Sequence, residues 1–437
     1  MGILILVILI GLEIGLLVFR LRTRSNQTLV KNKIRIGIFI GMVLLAAFQI
    51  IKLSFRWNLL YIILLIQAIM AVVYFWRLSK NKVKEEKLYK ASRAVLIYVR
   101  RSLSLVFLLT PAILFPQFKD LPVTGEYEVV TASYTLEDKS RTESYLEGNQ
   151  SRKLTIEFWY PDTNGAENEF PLVIFSHGAF GFRGSNYSTF MELASNGYVV
   201  CSIDHTYQSF FTKQTDNKIT IVDQSFLNDA VAVQSNIYEI EKSYILSHEW
   251  LDIRTADMNF VIDTILAKVD AVDKDDVYKR IDISNIGAFG HSLGGATAAQ
   301  MGRTREDIDA VIVLDGTMIG EVLSADSGIE VINETAYPIP ILNIFNEDHY
   351  NDGLENASTY ANMIINKNAI DSRQTVFLES GHLNFTDLPL FSPVLAGLLG
   401  TGEIDSRYCI ETTNKIVLSY FDYYLKGLGE LNIQLKY

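Results

Sequence analysis

Apolar positions follow two different patterns along this chain. Over the first 119 residues they come in long runs, at 3–19, 36–51, 57–76 and 102–118. The first run is broken only by Glu13 and two glycines. Each run approaches the ~20 residues that a helix needs to cross a bilayer. Further on, the runs shorten to strand length. Lys153–Tyr160 alternates, while Pro171–Phe175, Tyr198–Ile203, Ile286–Phe289, Ala310–Leu314, Ile339–Phe345 and Thr375–Leu378 are almost wholly apolar. Short continuous runs of this kind mark strands covered on both faces of a parallel sheet.

Between these strands the pattern predicts helices at 187–196, 249–270, 293–303, 357–368 and 409–426. The second carries an apolar stripe of Trp250, Ile253, Met258, Val261, Ile262, Ile265 and Leu266. A strand–helix–strand rhythm implies parallel strands with crossover helices, an α/β class with helices on both faces of a mostly parallel sheet. Residues 120–150 read as a polar lead-in and 206–247 as an irregular insertion over the site. Leu388–Leu399 is conspicuously apolar and has three readings: dipping toward a bilayer, walling a site, or packing as core or lid. The chain therefore divides into a transmembrane region at 1–119 and a second domain at 120–437.

Charge sharpens that division. Residues 1–119 hold 18 Lys and Arg against 3 Asp and Glu, and the remainder holds 21 against 47. An acidic second domain speaks against nucleic acid as a partner, because phosphate is repelled. The first apolar run lacks a basic leader and a small-residue cleavage site, so it reads as a retained helix and not a signal peptide. Lys and Arg cluster at 20–35 and 77–101 and are sparse at Lys52 and Arg56. The positive-inside rule puts both basic segments in the cytoplasm and everything after residue 118 outside. Pro111 and the shortness of the fourth run leave that parity open. Gly11/Gly15 and Gly37/Gly41 have a spacing that marks close helix contacts or ordinary membrane glycine. The two cysteines, Cys201 and Cys409, make no disulfide framework.

Candidate chemistry centres on Asn285–Ala299, NIGAFGHSLGGATAA. An apolar strand runs into Gly290-His291-Ser292-Leu293-Gly294 and leaves through an Ala-rich helix. Such a Gly-x-Ser-x-Gly turn lifts the Ser292 hydroxyl clear of the sheet and aims a helix N-terminus at the same place. Acyl transfer by a serine also needs a base, a carboxylate to orient it, and oxyanion donors. In this sheet type the order is Ser, acid, His. Of the six histidines only His349 and His382 follow Ser292 by a clear margin. His382 is favoured, because it follows the last strand through a glycine. Asp315 and Asp348 both end strands and are both candidates for the acid; strand-end aspartates also serve as helix caps. The Leu293 N–H and an N–H from His177-Gly178-Ala179, that of Ala179, are the expected oxyanion donors.

The segments FSHGAFGFRGSNYSTFMELASNGYVVCSIDH, GHSLGGA, VLDGTM and SGHLNFTD occur in this order. With them, residues 150–430 resemble the plasma-type platelet-activating factor acetylhydrolase family of α/β-hydrolases, related to dienelactone hydrolase. The resemblance implies a nucleophile at Ser292, an acid at Asp315, a base at His382, and oxyanion amides at Leu293 and Ala179. It favours Asp315 over Asp348. It also implies hydrolysis of short or oxidised acyl esters of phospholipid-like substrates with no metal or cofactor. The four N-terminal helices and 206–247 depart from the family pattern. The expectation is a multi-pass protein of the cell membrane with a serine esterase domain outside. Acyl transfer to another acceptor, or a non-catalytic sensor with a hydrolase shell, are the alternatives.

Overall fold

In the computed structural model, which describes every residue except 82–88, 164, 166–167 and 327, the chain separates into two units. One comprises Met1–Lys119 with Leu390–Leu398, the other Asp120–Pro389 with Leu399–Tyr437.

The first unit contains helices α1 (Gly2–Thr23), α2 (Thr28–Ala47), α3 (Phe55–Ser79) and α4 (Ala91–Leu114). Ile5, Leu9, Met42, Trp57, Leu60, Leu64, Leu108 and Leu109 form its core. Large apolar side chains such as Ile3, Val7, Leu96, Leu103 and Phe107 are exposed. Three helices, α1, α3 and α4, are long and apolar enough to cross a membrane. Helix α2 opens with Lys31, Lys33 and Arg35, which lowers its hydropathy.

The basic segment 77–101 is not one loop. Helix α3 continues to Ser79 and α4 starts at Ala91, so Arg93, Arg100 and Arg101 are helical. Lys82, Lys84 and Lys87 lie outside the described residues. The Arg101 guanidinium meets Glu13, with Nη1 3.0 and 3.1 Å from the two carboxylate oxygens. Pairing lets two charges occupy apolar helices at far lower cost than either would alone. Gly11, Gly15, Gly37 and Gly41 have no neighbouring atom within 4 Å of a built Cβ. Among the described residues these glycines mark no helix contact.

The second unit is built on eight strands: β1 (Val129–Thr142), β2 (Ser151–Pro161), β3 (Phe170–Ser176), β4 (Val199–Asp204), β5 (Ile281–His291), β6 (Ala310–Leu314), β7 (Ile341–Asn346) and β8 (Ser372–Phe377). Their order across the sheet is β1-β2-β4-β3-β5-β6-β7-β8. Strand β2 runs antiparallel to β1 and β4, and the remaining pairs are parallel. Side chains alternate across the pleat. Leu172 and Ile174 of β3 enter one core with Met258, Val261 and Ala298. Val173 and Phe175 enter the other with Phe190, Val417 and Phe421. Helices therefore cover both faces: α7 (Ile240–Val269) and α8 (Leu293–Thr304) on one, α5 (Tyr187–Ser195) and the C-terminal helix Ser406–Lys426 on the other. Burying each Val or Phe contributes about 1.5–3 kcal/mol, which explains why the central strands carry no polar alternation.

Several expectations need correction. The lead-in 120–150 contains β1, a full edge strand that pairs with β2. An edge strand is half-covered, so Glu137, Asp138 and Lys139 were no obstacle to it. The insertion 206–247 holds a hairpin of Phe211–Lys213 with Ile219–Ile221, helix α6 (Gln224–Gln234), and the first turns of α7. Helix α7 starts nine residues earlier than the apolar stripe predicted. The helix expected at 357–368 runs from Ala361 to Asn368, and a further helix, Glu347–Glu355, precedes it where none was expected. Of the readings of Leu388–Leu399, walling a site is the one that loses ground: residues 390–398 belong to the first unit, where Ser392 Oγ donates to the Leu114 carbonyl at 2.6 Å.

Candidate active site

Strands β3 to β8, all parallel to their neighbours within this half of the sheet, end at one rim, where ligand sites form in open α/β sheets. Strand β5 ends there in a turn that only small residues permit. A Cβ on Gly290 would lie 2.1 Å from the Gly294 carbonyl oxygen, and one on Gly294 would lie 2.0 Å from that of Ser176. Between them Ser292 adopts φ 56° and ψ −125°. This strained conformation for a residue with a side chain is what exposes the hydroxyl above the sheet. The Leu293 amide opens α8, where the first N–H groups have no partner within the helix.

Asp315 follows β6, also at positive φ, 49°. Its buried carboxylate accepts three hydrogen bonds and faces a second imidazole. Asn346 gives its backbone N–H to Oδ1 at 2.7 Å and Nδ2 to Oδ2 at 2.8 Å. His382 Nδ1 lies 2.6 Å from Oδ2 and His349 Nδ1 3.1 Å from Oδ1. Burial pushes this carboxyl up, but the imidazoles of His349 and His382 outweigh it and hold it well below the usual carboxylate range. His382 opens the short turn His382–Phe385 after β8. Asn384 pins that turn, its Oδ1 accepting from Gly381 N and Gly402 N, each at 2.8 Å.

Next to Ser292, His291 Nε2 donates to the His382 carbonyl at 2.9 Å, and the two rings lie 4.5 Å apart. Burial lowers the His291 pKa to about 3, so it is a neutral brace. A Cβ built on Gly316 would sit 2.4 Å from the Ser292 carbonyl oxygen. The residues around 291–292, 315–316 and 382 thus meet at one spot.

The loop after β3 reaches the same spot. A Cβ on Gly178 would lie 3.3 Å from Ser292 Cβ. Beneath the loop lies Arg254 of α7, fully buried. Its Nη1 donates to the His177 carbonyl, its Nη2 to those of Gly178 at 3.5 Å and Gln208 at 3.3 Å, and its Nε to Gln208 Oε1 at 2.7 Å. Burial brings this guanidinium down to about 9. Drawing carbonyls to one side of a trans peptide turns the following N–H groups to the other. His177 braces the same loop through Ser209 at 2.7 Å and, kept neutral by burial, sits well below its ordinary pKa. The side chains of Ala179 and Leu293 pack against Phe226 and Ala230 of α6 and Trp250 of α7. The insertion thereby walls the approach to both expected oxyanion residues.

Of the sequence candidates, Asp315 and His382 are hydrogen-bonded, and Ser292, Leu293 and Ala179 lie beside them. Asp348 is exposed on the first turn of the helix Glu347–Glu355, capped by Asn346. His349, ranked second as base, shares Asp315 with His382. His291, Asn346 and Arg254 escaped notice in the sequence. Only His291, inside the elbow motif, carried a local signal; the other two become neighbours through the sheet. One ligand atom each from Asp315, His349 and His382 lie within 4.8 Å of one another, so this group has the donors to hold a metal ion.

The family model for platelet-activating factor acetylhydrolase, isoform II, matches residues 161–432, which is more than half of the chain and leaves out the four N-terminal helices. The chain is similar to platelet-activating factor acetylhydrolase of Bos taurus, 25% identical over 277 residues, 59% of this chain and 57% of the relative. It is similar to that of Canis lupus familiaris at 26% over 270 residues, again 59% and 57%. It thus spans less than two-thirds of the length of these relatives. A ferulic acid esterase from Streptomyces cinnamoneus aligns with a TM-score of 0.54 at 21% identity, covering 72% of this chain and 95% of that one; at that identity the likeness concerns fold. The strand order with its elbow at the end of β5 is the α/β-hydrolase architecture, and the chain belongs to the platelet-activating factor acetylhydrolase isoform II family.

Proposed function

We propose that this chain is a membrane-tethered serine ester hydrolase acting on short or oxidised acyl esters of phospholipid-like substrates. The observation that carries the reading is the 2.6 Å contact of His382 Nδ1 with a buried, ionised Asp315 beside a strained Ser292. A carboxylate only accepts, so the His382 proton sits on Nδ1 and the Nε2 lone pair is left for the serine. Ser292 Oγ attacks the ester carbonyl as His382 takes its proton. The carbonyl oxygen, now negative, is held by the Leu293 and Ala179 amides, which Arg254 and the α8 N-terminus keep aimed. The imidazolium, stabilised by Asp315, passes the proton to the leaving alcohol. Water then repeats the sequence on the acyl-enzyme and frees the acid.

Support for the substrate class comes from the family relatives and from the apolar wall of Phe226, Ala230 and Trp250 beside the oxyanion residues. Support for tethering comes from α1, α3 and α4 and from their exposed apolar surface, which water would leave unfavourably solvated. The proposed topology adds α2, which is less apolar than α1, α3 and α4, as a fourth crossing and puts the hydrolase unit outside. Fluorophosphonate labelling of the full chain tests the nucleophile, with Ser292→Ala expected to abolish it; persistent labelling refutes the assignment. Protease added to intact cells is expected to cut the hydrolase unit, and protection would reverse the orientation.

A further inference from the structure

Asp315 serves two histidines at once. The triad chemistry needs one of them, and the second, His349, has no part in it. Both rings aim Nδ1 at the same carboxylate, at 2.6 Å for His382 and 3.1 Å for His349, on different oxygens. One atom from each of the three residues lies within 4.8 Å of the others. Two imidazoles and a carboxylate are the donor set of an open zinc site, with a fourth position left to water. Imidazole selects zinc, cobalt, nickel and copper over magnesium and calcium. The ligands are pre-oriented by their neighbours: Asn346 accepts from the His349 amide at 2.7 Å and donates twice to Asp315. Hydrogen-bonded partners of this kind fix ligand geometry. Access exists on one side, since the His349 side chain is 40% exposed while that of Asp315 is fully covered.

We propose that Asp315, His349 and His382 form an inhibitory site for a divalent transition-metal ion of the zinc class, built across the base and acid of the triad. The proposal rests on the reading of His382 as the base.

The proton balance explains why occupancy stops turnover. In the metal-free protein His382 donates its Nδ1–H to the carboxylate, His349 Nδ1 lies 3.1 Å from the other oxygen, and the His382 Nε2 lone pair is the base of the proposed reaction. A metal needs the Nδ1 lone pairs. A neutral ring therefore shifts its proton from Nδ1 to Nε2 through solvent, and a His349 ring held cationic by Asp315 releases its Nδ1 proton to solvent. The two Nδ1 atoms and one carboxylate oxygen close to ~2.0–2.2 Å around the ion. His382 Nε2 now carries hydrogen and cannot accept the Ser292 proton. Removing the ion returns the protons and the activity.

The test uses the untagged full-length chain in detergent. In the Ser292→Ala protein, titration with Co²⁺ alone is expected to produce the visible absorption of a four-coordinate site at one equivalent. His349→Gln and His382→Gln, each in the same background, are expected to abolish it. In the Ser292 protein, Zn²⁺ is expected to inhibit hydrolysis of a chromogenic short-chain ester reversibly, EDTA restoring the rate. His349→Gln is expected to need roughly 10–100-fold more zinc for the same inhibition. Cobalt absorption that is missing, or that survives His349→Gln, overturns the site. Equal zinc sensitivity of the Ser292 protein and the His349→Gln variant overturns the inhibition. Because the cobalt measurement needs no Ser292, a chain without esterase activity that still binds cobalt through His349 refutes the hydrolase reading and not the metal site.

Discussion

Ser176, His205 and Asp257 form a hydrogen-bonded chain on the same rim as Ser292, His382 and Asp315. Ser176 Oγ lies 2.9 Å from His205 Nε2, and His205 Nδ1 lies 3.0 Å from Asp257 Oδ2. By connectivity this is the better-formed triad, yet all three residues are fully buried. Ser176 ends an extended strand, β3, and its hydroxyl is not raised on a turn. Asp257 is claimed by Arg152, with contacts of 2.6 Å to both oxygens, and by Arg141 at 2.9 Å. Burial holds His205 down to about 4. The Ser292 site has instead a serine at positive φ, a partly exposed imidazole, a carboxylate whose other partners are an asparagine and a second histidine, and a helix N-terminus alongside. The comparison teaches that a Ser–His–Asp chain is a motif of hydrogen bonding. Reactivity comes from access, strain and amides aimed at the developing charge.

The largest separation expected between the two chains is in turnover. Ser292→Ala is expected to lower kcat by roughly 10⁶-fold, while Ser176→Ala leaves chromogenic ester hydrolysis within the range of a stability effect; the reverse outcome would exchange the two assignments. Next, Asp315→Asn is expected to cost roughly 10⁴-fold in kcat through loss of the His382 tautomer, with Asp348→Asn unchanged. A large loss at Asp348 would move the acid to the following strand. Third, Asp257→Ala leaves Arg152 buried without this partner and is expected to destabilise the second unit by about 3–5 kcal/mol, read by chemical denaturation.

The smallest effect is a pH slope. Below about pH 6.5 the unfolded chain takes a proton at residue 205 that the folded chain refuses until about 4. Stability therefore falls as pH drops through that window, with no contribution above it. His205→Gln is expected to flatten the slope of thermal unfolding between pH 7 and 5. An unchanged slope would mean that His205 is protonated in the folded protein.

Much of this was readable in residue order. Continuous apolar runs located the central strands because both faces of each are covered, and the Gly-x-Ser-x-Gly turn named Ser292 because backbone packing there excludes side chains. Chain order and family resemblance pointed to His382 and Asp315, which the fold brings within 2.6 Å of each other. Edge strand β1 was missed because a half-covered strand tolerates charges. Arg101 was misplaced in a loop because its partner Glu13 is 88 residues away. Arg254 was hidden inside an apolar helical stripe.

The sequence by itself determined which segments form long apolar helices, which form buried strands and which serine sits on a strained turn, because burial periodicity and steric exclusion act over a few residues. Tertiary structure alone decided that the Ser176–His205–Asp257 chain is sealed, that Ser292 and His382 are not, and that Asp315 faces two imidazoles. Those outcomes depend on distances between segments that are remote in the chain, and on how much water remains between them.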